Sequence, residues 1–271
     1  MAELVGMQHR IDESNYRDFT GVNGVVEIAG DKRHLCCKYG KATPGMVSLP
    51  ESFKIIPRNE VASRSKDLVQ SGADLISMVR RSKIKIKDQN GTNYCWVNCT
   101  ASAIEYNREL QGEPYVELSP AFIGNMGSNF TNSGGYIEDA LEIAVKYGCP
   151  SVEYVSPNNL SREWYNKNKE ATFANAALHK ITNWVNLGYA RGAGSLNDKV
   201  RTCLLQRIPV VVALDWWSHA ILYNHVFENF DWGFQNSWTA SYGDKGMGRL
   251  SESKGSPSAA FIPASSIASL L

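Results

Sequence analysis

The apolar residues of this chain change period near residue 208, and that change restricts its fold more than any other feature. Upstream the spacing is helical. Cys95 to about Leu110, CWVNCTASAIEYNREL, reads as a helix stopped by Gly112 and Pro114. Ser119 and Pro120 supply an N-cap and a proline at the first helical position, opening a short helix over AFIGNM. Between Tyr136 and Tyr147, Ile137, Ala140, Leu141, Ala144 and Val145 share one face, and Gly148 ends the run. Ser195 to Arg207 turns Leu196, Val200 and Leu204 inward. Downstream, Val210–Leu214, Ala220–Phe227 and Trp232–Gln235 read as strands, the last two joined by a turn at 228–231. Helices followed by strands make an α+β chain with two lobes, helical over about residues 89–150 and β-rich over about 151–271.

Ahead of these lobes, RSKDLVQSGADLISMVRR (64–81) places Leu68, Leu75, Ile76 and Val79 at near-helical spacing, with Gly72 as a weak point. Ile84 to Lys87, IKIK, alternates as a half-buried strand would. Residues 1–47 are dotted with glycine and carry short β-like runs such as Val25–Ala29. They read as an N-terminal extension containing a hairpin, ahead of a main domain over 48–271.

The bulk numbers narrow the function classes. Lys plus Arg total 28 against 27 for Asp plus Glu, a balance that argues against nucleic-acid or membrane-surface binding. The first thirty residues hold charges throughout and no apolar stretch of a secretory signal. The longest apolar run, Ile208–Leu214, is broken by Pro209 and too short to cross a bilayer. Six cysteines are present, and two glycosylation sequons, Asn90-Gly91-Thr92 and Asn98-Cys99-Thr100, flank Cys95. A glycan there would sit beside the residue with the most chemical promise. The expectation is therefore a reducing intracellular compartment without structural disulfides, or a virion. Cys99 lies one helical turn from Cys95, but no second pair follows as a zinc site needs; no metal or cofactor is expected.

That promise lies in QNGTNYCW, residues 89–96. A cysteine opening a helix faces the unpaired N–H groups and the positive end of the dipole, which favour a thiolate. Gln89, upstream, offers an amide donor that with the Cys95 N–H would form an oxyanion hole. Core packing is the plainer use of such a cysteine. A nucleophile needs a base, and the histidines are His9, His34, His179, His219 and His225. Strict alternation puts His219 and His225 on the same strand face, about 20 Å apart, so only one can meet Cys95. His219, at the strand's start, is the better placed. Asn236, in Asn236-Ser237-Trp238, can accept from one imidazole nitrogen and aim the other at sulfur, with Trp238 as its cover.

The ordered set Gln89, Cys95-Trp96, His219-Ala220 and Asn236-Ser237-Trp238 resembles the papain-like cysteine peptidase family. NSGGYIEDAL (132–141) is similar to that family's Cys-Asn-Gly-Gly-Tyr stretch, and SLPESF (48–53) to the start of mature members. The resemblance implies a two-lobed papain-like fold, a helical lobe and an antiparallel β-barrel-like lobe with the cleft between. It implies Cys95 as nucleophile, His219 as base then acid, Asn236 as its orienter and Gln89 as oxyanion donor. Gly134, Gly135, Ser218 and Trp238 would line the substrate site. The implied reaction is peptide hydrolysis through a thioester, on a peptide or protein substrate, without nucleic acid or membrane.

The chain departs from the family pattern in five ways, one being Ser218 where Asp or Asn is usual before the histidine. The usual disulfide positions are Thr92 and Asn132. Bulky Asn93 and Tyr94 precede the cysteine, and Tyr94 is expected to crowd the cleft. Only DWWS separates Leu214 from His219, leaving Trp216 and Trp217 to rebuild the missing wall. Residues 1–47 are too short and β-like for the family's helical prosegment and would serve as an arm or plug. A different class of function also fits: a papain-fold structural or binding protein, such as a virus-particle component, attached to an assembly through this extension.

Overall fold

The computed structural model describes residues 9–21, 25–28, 31–41, 43–190 and 196–263. In chain order it runs β1 (Arg10–Ile11), a 3-10 turn (Tyr16–Phe19), the hairpin β2 (Val25–Ile28) and β3 (Asp31–His34), then β4 (Cys37–Lys38) and β5 (Met46–Val47). Next come α1 (Arg58–Gln70), α2 (Leu75–Arg81), α3 (Cys95–Leu110), α4 (Pro120–Ser128), β6 (Gly135–Tyr136), α5 (Ile137–Lys146) and α6 (Glu163–Ala177). The strand-rich end holds β7 (Trp184–Tyr189), α7 (Leu196–Leu205), β8 (Val210–Leu214), β9 (His219–Val226), β10 (Trp232–Gln235), β11 (Met247–Leu250) and β12 (Ala259–Pro263). Ala29 and Ser195, the expected ends of two elements, lie outside the described residues.

The helical and strand readings from residue 95 onward hold to within a few residues. Ser119 and Pro120 do open α4, though the Ser119 hydroxyl makes no capping bond. Two readings change. The segment 64–81 is two helices: Gly72 takes φ +64°, and Asp74 restarts the chain by accepting the Ser77 N–H at 2.9 Å. IKIK is not a strand. Lys87 turns inward and bonds Glu105 at 2.7 Å and the Leu118 carbonyl at 2.9 Å, in a pair almost without exposed surface. Burial pushes the Glu105 carboxyl up, against the pull of Lys87. Removing either partner would leave a stranded charge, at about 3–5 kcal/mol.

An eight-stranded sheet ordered β1-β11-β10-β9-β8-β12-β7-β5 divides the interior. Its inner pairs are antiparallel, and its two edges are parallel pairs in which the N-terminal segment supplies β1 and β5. One core lies between the sheet and α3, α4 and α5; the other gathers residues of α1, α7 and the opposite sheet face. α3 is buried continuously from Cys95 to Asn107, which suits a helix enclosed by α4 and α5 on one side and β9 on the other. Its Ala101 and Ala103 are fully covered, and small side chains there admit close approach. Among the described residues no helix is long and apolar enough to cross a membrane.

Candidate active site

Two element starts meet here. Cys95 is the first residue of α3 and His219 the first of β9, and the Ala220 N–H bonds the Cys95 sulfur. Side chains lock the elements further along: Tyr106 donates to Gln235 at 2.8 Å, and Gln235 donates to Ser102 at 3.2 Å. Asn236 follows β10, beside β9 in the sheet. Its Oδ1 lies 2.9 Å from His219 Nε2 and also accepts the Ser237 N–H at 2.8 Å. Because Oδ1 can only accept, Nε2 carries the proton. That leaves Nδ1, which makes no hydrogen bond among the described residues, as the nitrogen available to the Cys95 sulfur, whose pKa the nearby ring lowers.

The thiol sits well below its ordinary pKa. Burial alone would push it up. The neighbouring Cys37 thiol opposes burial most, followed by His219 and its charge and the Ala220 N–H. At Cys149 and Cys203 a single backbone group, with Lys87 near Cys149, does not offset burial, which pushes both up, Cys203 to about 12. The imidazole is walled by indoles. Trp238 stacks on it at 5.0 Å and 29°, and Trp217 meets it edge-on at 5.1 Å. Tyr242 packs edge-on behind Trp238 at 5.2 Å. These rings keep water from the His219–Asn236 bond, which strengthens it.

Gln89 is fully buried just before α3. Its Oε1 accepts from Ser237 Oγ at 2.7 Å, its Nε2 donates to the Thr92 carbonyl at 3.0 Å, and its backbone N–H bonds the Ser237 carbonyl at 2.9 Å. The loop before Cys95 is thus tied to the Asn-Ser-Trp segment. Where the resembling family has a disulfide, Asn132 does the tying: its Oδ1 accepts the Asn93 N–H at 2.7 Å and its Nδ2 donates to the Gly91 carbonyl at 3.0 Å. All six cysteines are free thiols.

Tyr94 does not crowd the cleft. It is fully buried in the helical core against Gly124, where an added Cβ would come within 2.3 Å of its ring, and its hydroxyl bonds the Thr131 carbonyl at 3.0 Å. Trp216 and Trp217 stack on one another at 5.2 Å, and the N-terminal segment completes the wall: Trp217 Nε1 donates to the Phe19 carbonyl at 2.7 Å, and Tyr16 packs on Trp216. The remaining histidines serve elsewhere. His179 Nδ1 bonds the Cys149 carbonyl at 2.9 Å, and His9 packs edge-on against Phe19 and Tyr242. His225 is buried beside Ser65, and the side chain of His34 lies outside the described residues.

Gly134, Gly135 and Ser218 are occupied by the chain itself. β4 pairs in parallel with β6, setting Cys37 opposite Gly135, and the Cys37 N–H bonds the Ser218 carbonyl at 3.0 Å. Cys36 lies so close to Gly134 that a Cβ there would fall 2.1 Å from its sulfur. The strap then continues under carboxylate anchors. Tyr39 donates to Asp215 at 2.7 Å, the Gly40 and Lys41 N–H groups share Glu138 Oε1, and Gly45 N–H and the Thr43 hydroxyl share Glu142 Oε2. Cys95 beneath has no exposed surface. The role of Cys37 was not legible in the sequence; its one trace is a cysteine pair within an otherwise polar extension.

This arrangement defines a class by its fold, that of the papain-like cysteine proteases, and solved structures similar to the chain carry it. A digestive procathepsin L 3 of Tenebrio molitor larval midgut matches with TM-score 0.54 and 19% identity, over 66% of each chain, just under two thirds of its length. Xylellain, a cysteine protease from Xylella fastidiosa, matches at 0.56 and 16%, over 80% of this chain and 95% of its own. The bromelain protease from Ananas comosus, in complex with the E64 inhibitor, matches at 0.53 and 18%, over 70% and 96%. No family model and no curated protein matches the sequence.

Proposed function

We propose that the chain is a cysteine peptidase held latent by its own residues 35–47. Cys95 is the nucleophile, and His219 takes its proton through Nδ1 and later delivers it to the leaving amine. Asn236 holds the ring in that tautomer. Gln89, with the Cys95 N–H, receives the developing oxyanion once its amide is released toward the cleft. Gly134, Gly135 and Ser218 would present backbone groups to a peptide, and Trp238 covers the histidine. The observation that carries this reading is the Cys95 sulfur at the start of α3 beside an imidazole whose other nitrogen is held by Asn236.

The test weakens the strap. Tyr39→Ala with Lys41→Ala removes the Asp215 and Asp139 contacts and leaves α5 intact. Losing roughly 1.4 kcal/mol of strap contacts raises the open population about tenfold. Epoxide labelling of Cys95, mapped by mass spectrometry, is expected to accelerate by that factor, with cleavage of a peptide library appearing alongside. His219→Ala in the same background abolishes both. Labelling of Cys95 no faster than Cys149 or Cys203 in the weakened strap overturns the proposal. It would favour a papain-fold structural or binding protein, a reading that the complete burial of Cys95 supports.

A further inference from the structure

The strap places a second thiol against the first. Cys37 is pinned from both sides of the cleft, by Gly135 of β6 and by the Ser218 carbonyl. Adjacent residues of an extended segment face opposite ways, so Cys36 turns to Gly134 while the Cys37 thiol meets the Cys95 sulfur. Cys37 is half-buried, whereas Cys95 is enclosed. Blocking a cleft needs only the strap's backbone and bulk. A thiol over the nucleophile adds chemistry.

We propose that Cys37 and Cys95 are an oxidative modification site: a peroxide joins them in a disulfide that covalently locks the strap over the cleft, and a dithiol reductant opens it. The Cys95 thiolate attacks the peroxide, breaking the O–O bond, releasing hydroxide and becoming a sulfenic acid. The Cys37 sulfur then attacks the sulfenyl sulfur, and the hydroxyl leaves with the Cys37 proton as water. Sulfur loses two electrons overall and the peroxide gains them. Reduction runs by thiol exchange at one sulfur and release of the cyclised dithiol, which returns two electrons and two protons. The low pKa of Cys95 makes it the first to oxidise. Once its charge is gone, the interaction that keeps Cys37 protonated weakens, and Cys37 becomes the resolving thiol. The lock spares the nucleophile from irreversible sulfinic acid.

This inference rests on Cys95 being a reactive thiolate, but its readout is separate from peptidase activity. Full-length protein is titrated with hydrogen peroxide and analysed by intact mass and non-reducing peptide mapping. The expected product has lost about 2 Da, two hydrogens, and contains a linked peptide joining residues 37 and 95. Dithiothreitol reverses it. Cys36→Ser retains the link; Cys37→Ser abolishes it and sends Cys95 on to a species with two added oxygens. A wild-type protein in which Cys95 gains those oxygens, links instead to Cys36 or Cys99, or oxidises no faster than Cys149 overturns the proposal. Link formation in the wild type, with no peptide cleavage by the strap-weakened Tyr39→Ala, Lys41→Ala protein, would refute the peptidase reading alone. Cleavage without the link would refute only the lock.

Discussion

The strand β9 carries two histidines, and each sits in a hydroxyl- or thiol-bearing cluster. At its start are Cys95, His219 and Asn236. At its end are Ser65 and His225, with the Asp74 carboxylate nearby: Ser65 Oγ lies 3.4 Å from His225 Nε2, and all three are buried. The second cluster has the residue types of a hydrolytic triad without its chemistry. The Ser65 hydroxyl already donates to the Val226 carbonyl at 2.6 Å, and Asp74 caps α2. Burial lowers His225 to about 4, more than Asp74 restores, so its ring is neutral. The first cluster instead sits at a helix N-terminus and under the N-terminal strap. Residue types alone therefore do not distinguish the two clusters; the donors around Cys95 and the strap over it do.

The largest expected effect separates the two histidines by turnover. In the strap-weakened Tyr39→Ala, Lys41→Ala background, His219→Ala should cost at least about 10⁴-fold in kcat/KM for peptide cleavage. His225→Gln should leave turnover per folded molecule within about twofold. A comparable loss from His225→Gln would put both clusters in one machine and break the comparison.

Stability against pH comes next. His225 titrates near 6.5 when unfolded and about 4 when folded, so the unfolded chain holds the extra proton between those values. The neutral ring's contribution is complete above pH 6.5 and is lost as pH falls toward 4, by roughly 3 kcal/mol. Urea midpoints at pH 7 and pH 4.5 should show this loss in the wild type and much less of it in His225→Gln. An equal loss in both would assign the acid sensitivity elsewhere. The smallest effect is Ser65→Ala, which removes one buried hydrogen bond and should cost about 1–2 kcal/mol in urea unfolding. Cleavage by the strap-weakened enzyme should not change. A drop in that cleavage would mean Ser65 reaches the reaction.

Much of the helical framework was legible because each helix buries one face, and that need writes a periodic stripe into the chain. α6 was not, since its buried residues Trp164, Thr172 and Ala176 leave no continuous apolar face. β7 and β12 were passed over as well, although each is largely buried and strongly apolar. Strict alternation also misjudged His225. Gly233 pairs with His225 and Phe234 with Tyr223, so Asn224 is an extra residue in β9. Before it, Ile221 and Tyr223 face one core; after it, Val226 joins them and Phe227 faces the other. The histidines were placed on one face by a count that this bulge invalidates.

By itself the sequence determined the kinds and order of the candidate groups. A cysteine at a helix start, a histidine opening a strand and an asparagine closing the next are written in local spacing, because caps, turns and periods act over a few residues. Tertiary structure alone decided which histidine meets the sulfur and that Cys37 lies over it. β4 reaches Gly135 through a two-residue parallel pairing made across a long stretch of chain. Such a contact is held by backbone hydrogen bonds, which any residue can make, and so it leaves no pattern in the side chains to be read.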